Sequence, residues 1–98
     1  MRITFATIAP VLKALQAAKI KHKVVGSLAV RGWSDHDADL LIYFKAPGEV
    51  NDPMEWPAYR RYIKLMEKLG YRMKMQSTDY DEWHKGQIII DIVPVPED

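Results

Sequence analysis

Two apolar runs limit the folds open to this chain. Leu40-Leu41-Ile42-Tyr43-Phe44 follows Asp37-Ala38-Asp39, and Ile88-Ile89-Ile90-Asp91-Ile92-Val93 stands near the other end of the sequence. A strand with one wet face alternates polar and apolar residues. A continuous run suits a strand that enters the interior of a sheet. Gln87 to Val95 is therefore read as a final strand, whose Pro94 and Pro96 are expected to prevent full pairing at its end.

The rest of the pattern supplies helices and edges. Ile8, Val11, Leu12 and Leu15, then Ile20, recur at helical spacing, with Lys13, Lys19 and Lys21 on the other side. This predicts a helix over about residues 8–19, with Thr7 as N-cap and Pro10 in the first turn. Tyr59, Tyr62, Ile63, Met66 and Leu69 predict a second long helix, starting at Trp56 or Pro57 and stopped by Gly70. Lys23-Val24-Val25 reads as a short strand, and residues 27–31 as a turn or two of helix stopped by Gly32. Residues 45–53 contain Pro47-Gly48 and Asn51-Asp52-Pro53 and read as a loop. Residues 71–76 read as a strand and 77–86 as a turn region. The order implies an α/β (α+β) sandwich, with helices packed on a mixed sheet of about four strands. Ninety-eight residues support one such core, so the chain is expected to be a single minimal domain.

Composition removes several function classes. The chain has no cysteine, which excludes disulfides, a thiolate zinc site and a cysteine nucleophile. No apolar run approaches the roughly 20 residues that span a bilayer, and Met1-Arg2-Ile3-Thr4-Phe5 does not open a signal peptide. A soluble cytoplasmic protein is expected. The net charge of +1 conceals a segregation. Residues 1–31 carry six Lys or Arg and no acid, and residues 32–55 carry six acids against Lys45. Residues 56–75 are again basic, with Glu67 the exception, and residues 76–98 carry six acids against Lys85. One account is ordinary variation between helix and loop surfaces. The other is an acidic metal site flanked by basic surface that attracts polyphosphate or nucleic acid.

The candidate chemistry lies in the acidic segments. Asp35, Asp37 and Asp39 are spaced to share one face of an extended segment, where carboxylates repel unless something neutralises them. A divalent cation would do so, and oxygen-only donors favour magnesium or manganese. A solvated acidic loop is the simpler alternative for an isolated Asp-x-Asp. A calcium loop is excluded, because Leu40 takes the glycine position and Ala46 that of the bidentate glutamate. His36 is expected to point away from the aspartates. Asp91 interrupts an apolar strand, which fits either an edge position or paired acid, or a metal site shared between strands. Gly26-Ser27 at a strand-to-helix junction lets backbone approach an anion, a weak signal alone.

Together these motifs resemble the DNA polymerase β-type nucleotidyltransferase superfamily. The resemblance rests on Gly26-Ser27, nine intervening residues, Asp37-Ala38-Asp39-Leu40, and a distant Ile90-Asp91-Ile92. Arg31-Gly32 and Ser34-Asp35 add to it, although Val30 interrupts the small-member pattern between Ala29 and Arg31. The resemblance implies transfer of a nucleoside monophosphate from a nucleoside triphosphate to a hydroxyl acceptor. It implies Asp37, Asp39 and Asp91 as the magnesium-binding catalytic acids, with Gly26 and Ser27 on the phosphates. Asp35 is left as an outer residue. It also implies a partner subunit or homo-oligomer, since minimal members often pair with a HEPN-type protein in toxin–antitoxin modules. A non-catalytic antitoxin or regulatory subunit of the same fold is the alternative. Trp33, Trp56, Tyr59 and Trp83 are expected in the core or at such an interface.

Overall fold

Helix formation begins earlier than the apolar spacing suggests, because threonine chemistry sets the start. In the computed structural model, which describes residues 2–45, 56–77 and 79–97, β1 (Ile3–Thr4) runs directly into α1 (Phe5–Ala17). Thr4 is the N-cap: its hydroxyl accepts from the Thr7 N–H at 3.4 Å, and the Thr7 hydroxyl accepts from the Thr4 N–H at 3.0 Å. Thr7, expected as the cap, is instead the returning half of this capping box. Pro10 consequently lies beyond the first turn, inside the helix, where its ring nitrogen cannot donate to Ala6. Ile8, Val11 and Leu15 form the buried stripe, as their spacing predicts.

β2 (His22–Val25) leads into the short α2 (Gly26–Arg31), then β3 (Trp33–Ser34) and β4 (Ala38–Lys45). β1 and β3 form a two-stranded antiparallel pair that hydrophobic patterning does not signal. α3 (Pro57–Lys68) follows, then β5 (Arg72–Gln76), β6 (Asp81–Lys85) and β7 (Ile88–Glu97). Apart from Lys45, the expected loop 45–53 falls outside the described residues.

Among the described residues the main sheet has five strands in the order β2-β4-β7-β6-β5, one more than expected. β4 and β7, the two apolar runs, are central neighbours and parallel; every other pairing is antiparallel. The additional strand is β6, which occupies the expected turn region. The prolines of β7 do not end its pairing, which continues with β4 as far as Lys45 opposite Glu97. β6 ends opposite Ile92, so beyond that point β7 has, among the described residues, a partner on one side only. Prolines two residues apart turn the same edge outwards and need break no ladder bond there.

α1 and α3 cover one face of this sheet. Ile8, Val11, Leu15, Tyr59, Tyr62 and Met66 pack with Leu40, Ile42, Phe44, Ile90 and Ile92 in one core. Phe44, Trp56, Tyr59, Tyr62 and Trp83 form its aromatic centre, with ring centroids 5.3–6.0 Å apart. The fold is thus an α+β sandwich. On the other face Leu41, Tyr43, Val93 and Val95 are half-exposed. Among the described residues no helix is long and apolar enough to cross a membrane.

Candidate metal centre

The register across four strands places the acids. Val25 of β2 lies opposite Asp39 of β4, Asp39 opposite Asp91 of β7, and Asp91 opposite Glu82 of β6. Residues opposite one another share a sheet face, so this row lies on the face away from the helices. Asp37, two residues before Asp39 and just outside β4, joins them by strand alternation. Donor oxygens of Asp37, Asp39 and Asp91 all lie within 4.8 Å of one another.

Like charges this close raise the cost of ionising each. Burial pushes Asp39 up from the ordinary carboxylate value, and the charge of Asp37 adds to it. Asp91 is pushed up to about 7, first by burial, then by its hydrogen bond with the Asp37 carboxyl and the charges of Asp37, Asp39 and Glu82. One oxygen of Asp91, Oδ1, is buried with no hydrogen-bond partner among the described residues. An orphaned acceptor amid three carboxylates is an unfavourable arrangement for the bare protein, and a bound divalent cation would offset it. The donor set, carboxylate oxygen alone, fits magnesium or manganese.

Gly26 belongs to the same site. Its φ is +71°, and a Cβ added there would stand 2.5 Å from Asp39 Oδ2 and 3.3 Å from Asp39 Cγ. The backbone at the start of α2 therefore touches the carboxylate that β4 presents. Gly26→Ala meets both the left-handed backbone penalty and this collision. We expect it to cost about 2 kcal/mol, lowering Tm by about 10 °C. It should also abolish any magnesium-dependent thermal stabilisation, because Asp39 must move; differential scanning fluorimetry with and without magnesium reads both.

The other sequence candidates are distributed unevenly. Ser27 is exposed in α2, and its hydroxyl makes no hydrogen bond among the described residues. Asp35 and His36 are exposed and stand outside the cluster. Trp56, Tyr59 and Trp83 are core, whereas Trp33 is half-buried with the guanidinium carbons of Arg2 and Arg31 each 4.2 Å from its ring centroid. Glu82 is an addition. It flanks Asp91 and accepts from, or pairs with, His84 Nε2 at 2.7 Å. Its sequence signal is membership of the last acidic block, because the spacing around it predicts a turn rather than a strand.

Compared with known protein families and with curated proteins, the sequence matches none.

Proposed function

We propose that this chain is a metal-dependent nucleotidyltransferase, moving a nucleoside monophosphate from a nucleoside triphosphate to a hydroxyl acceptor. The observation that supports it most is the convergence of Asp37, Asp39 and Asp91 within 4.8 Å, with the Gly26 backbone against Asp39. In such a reaction the acceptor oxygen bonds the α-phosphorus, the α–β phosphoanhydride bond breaks, and pyrophosphate leaves with the electron pair. Asp37, Asp39 and Asp91 would hold magnesium, which when bound supplies charge neutralisation for the phosphates and acidifies the attacking hydroxyl. Asp91, on the central strand β7, would receive the acceptor's proton. The missing side chain of Gly26 makes room for the Asp39 carboxylate, and the backbone beside it would meet the phosphate oxygens. Ser27 beside it is the candidate hydroxyl donor to those oxygens.

Isothermal calorimetry with ATP and magnesium tests the reading. Wild-type protein should bind, and Asp37→Ala combined with Asp39→Ala should lose at least tenfold in affinity. Equal binding by both, or none by either, would count against it.

A second reading is a non-catalytic subunit acting with a partner protein or a second copy. The half-exposed Leu41, Tyr43, Val93 and Val95 beside the acidic row favour it. Stoichiometric co-purification of one partner, with no incorporation from labelled triphosphates under magnesium or manganese, would select it.

A further inference from the structure

The end of the sheet farthest from the aspartates carries a second concentration of charge. Lys19, Lys21, Tyr43, Lys45, Arg61 and Glu97 line an open depression of about 170 Å3. Lys45 closes β4, six residues beyond Asp39 and so about 20 Å along the strand. Among the described residues lining it, four cations face one carboxylate. Glu97 is engaged by Lys21 at 3.3 Å, an exposed pair of small energetic weight. Among the described residues no carboxylate lies within ion-pair distance of Lys19, Lys45 or Arg61. The Lys21 ammonium also stands 5.2 Å from the Tyr43 ring centroid. Cations that lack a carboxylate partner among the described residues, set around a concavity, focus positive potential into it.

The backbone supplies an independent observation. Lys19 has φ +57°, the one non-glycine residue in the left-handed region among those described. It follows Ala18, the C-cap of α1, at the position where helices usually place glycine or asparagine. A lysine there carries strain that glycine would relieve. This turn closes α1, with the Lys19 N–H donating to Gln16 O and the Ile20 N–H to Leu15 O, and it leaves Lys19 among the residues that line the depression.

We propose that this depression binds the phosphoryl group of a small phosphate-bearing anion, at a site separate from the aspartate cluster and independent of any metal. Its volume falls below the roughly 300–1,000 Å3 of pockets that enclose drug-sized ligands, so it suits a phosphate or pyrophosphate group rather than a whole nucleotide. The Arg61 guanidinium offers the planar fork that phosphate oxygens accept, and the lysines supply further point charges. The cations gather in one concavity, which favours a compact anion over an extended strand.

The test is a titration of the full chain with inorganic pyrophosphate in metal-depleted buffer without chelator, followed by amide 1H–15N resonances. The amides of Lys19, Lys21, Lys45 and Arg61 should shift and saturate. Lys45→Ala and Arg61→Ala should each weaken binding about five- to tenfold. Lys19→Gly is the decisive variant: Tm should rise by about 4 °C as strain is released, while pyrophosphate affinity falls several-fold. A lysine with only a structural role would change the first and leave the second. The Asp37→Ala, Asp39→Ala protein should retain full pyrophosphate affinity, which separates this site from the proposed metal centre. Shifts confined to residues around Gly26 and Asp39, absence of saturation, or unchanged affinity in Lys19→Gly would overturn the proposal. Displacement of pyrophosphate by a single-stranded oligonucleotide lacking a terminal phosphate would overturn the small-anion assignment in favour of a strand backbone.

Discussion

Asp81→Ala is expected to destabilise the protein by about 3 kcal/mol, lowering Tm by more than about 10 °C. Asp81 is fully buried. Its Oδ2 accepts from the Tyr59 hydroxyl at 2.6 Å and from the Tyr62 hydroxyl at 2.9 Å. Trp83 Nε1 donates to the Tyr62 hydroxyl at 2.6 Å, and Gln76 Nε2 to the Tyr59 hydroxyl at 2.9 Å. One carboxylate thus fixes two aromatic side chains of α3 against β6 through their polar ends. Truncation removes the acceptor from both tyrosines in a dry setting, and such losses are felt at close to the full desolvation cost. Burial pushes the Asp81 carboxyl above the ordinary range, and the two hydroxyl donors pull against that shift. Asp81→Asn keeps an acceptor for the tyrosines and should cost only about 1 kcal/mol. Chemical denaturation of the three proteins separates the network from the charge: equal losses in both variants would show that the tyrosines are not held through Asp81.

The same residue explains what a single sequence conceals. In β6, Asp81 and Trp83 are buried while Glu82 and His84 are half-exposed. The alternation is that of a strand, but an aspartate occupies an inward position and makes the segment read as a turn. The groups that bond its Oδ2 lie 19 and 22 residues earlier, on α3, beyond any local window, and among the described residues its buried Oδ1 has no partner. The central strands were legible for the opposite reason. Leu40, Ile42, Phe44, Ile90 and Ile92 need cover on their own account, wherever it comes from. The acidic site was legible in part. Two-residue spacing puts Asp37 and Asp39 on one face, but only the β4–β7 register sets Asp39 opposite Asp91, and register is decided by the whole sheet. The contact between Gly26 and Asp39 depends on where β2 lies against β4, again a matter of pairing rather than spacing. At the start of α1 the cue was present in Thr4 and Thr7, three apart, and the apolar stripe drew attention one turn too late.

Asp91→Asn should have opposite effects with and without a divalent ion. With its carboxyl pushed up to about 7 against an ordinary 3.8, Asp91 in the folded chain holds a proton across a range where the unfolded chain has released it. Stability from this group is therefore fully present below about pH 4 and is lost as pH rises through about 7. Asp39 and Asp81, also raised, work in the same direction, so the comparison with the variant is what isolates Asp91. In metal-depleted buffer at pH 8, Asp91→Asn should be more stable than wild type by on the order of 1 kcal/mol, solvent screening included. The gap should close towards pH 5. Magnesium reverses the order. At a hundredfold excess over its dissociation constant it should stabilise wild type by about 2.7 kcal/mol, or more than 10 °C in Tm. The variant, with a neutral amide in place of the third carboxylate, should gain far less. The wild-type gain should also weaken as pH falls below 7, because protons compete for the same oxygens. Melting curves at pH 5, 6.5 and 8, with and without magnesium, measure every part of this pattern. If magnesium raised Tm equally in both proteins, Asp91 would not be a ligand. If wild type were the more stable protein in metal-depleted buffer at pH 8, the repulsion on which the proposed metal site rests would be absent.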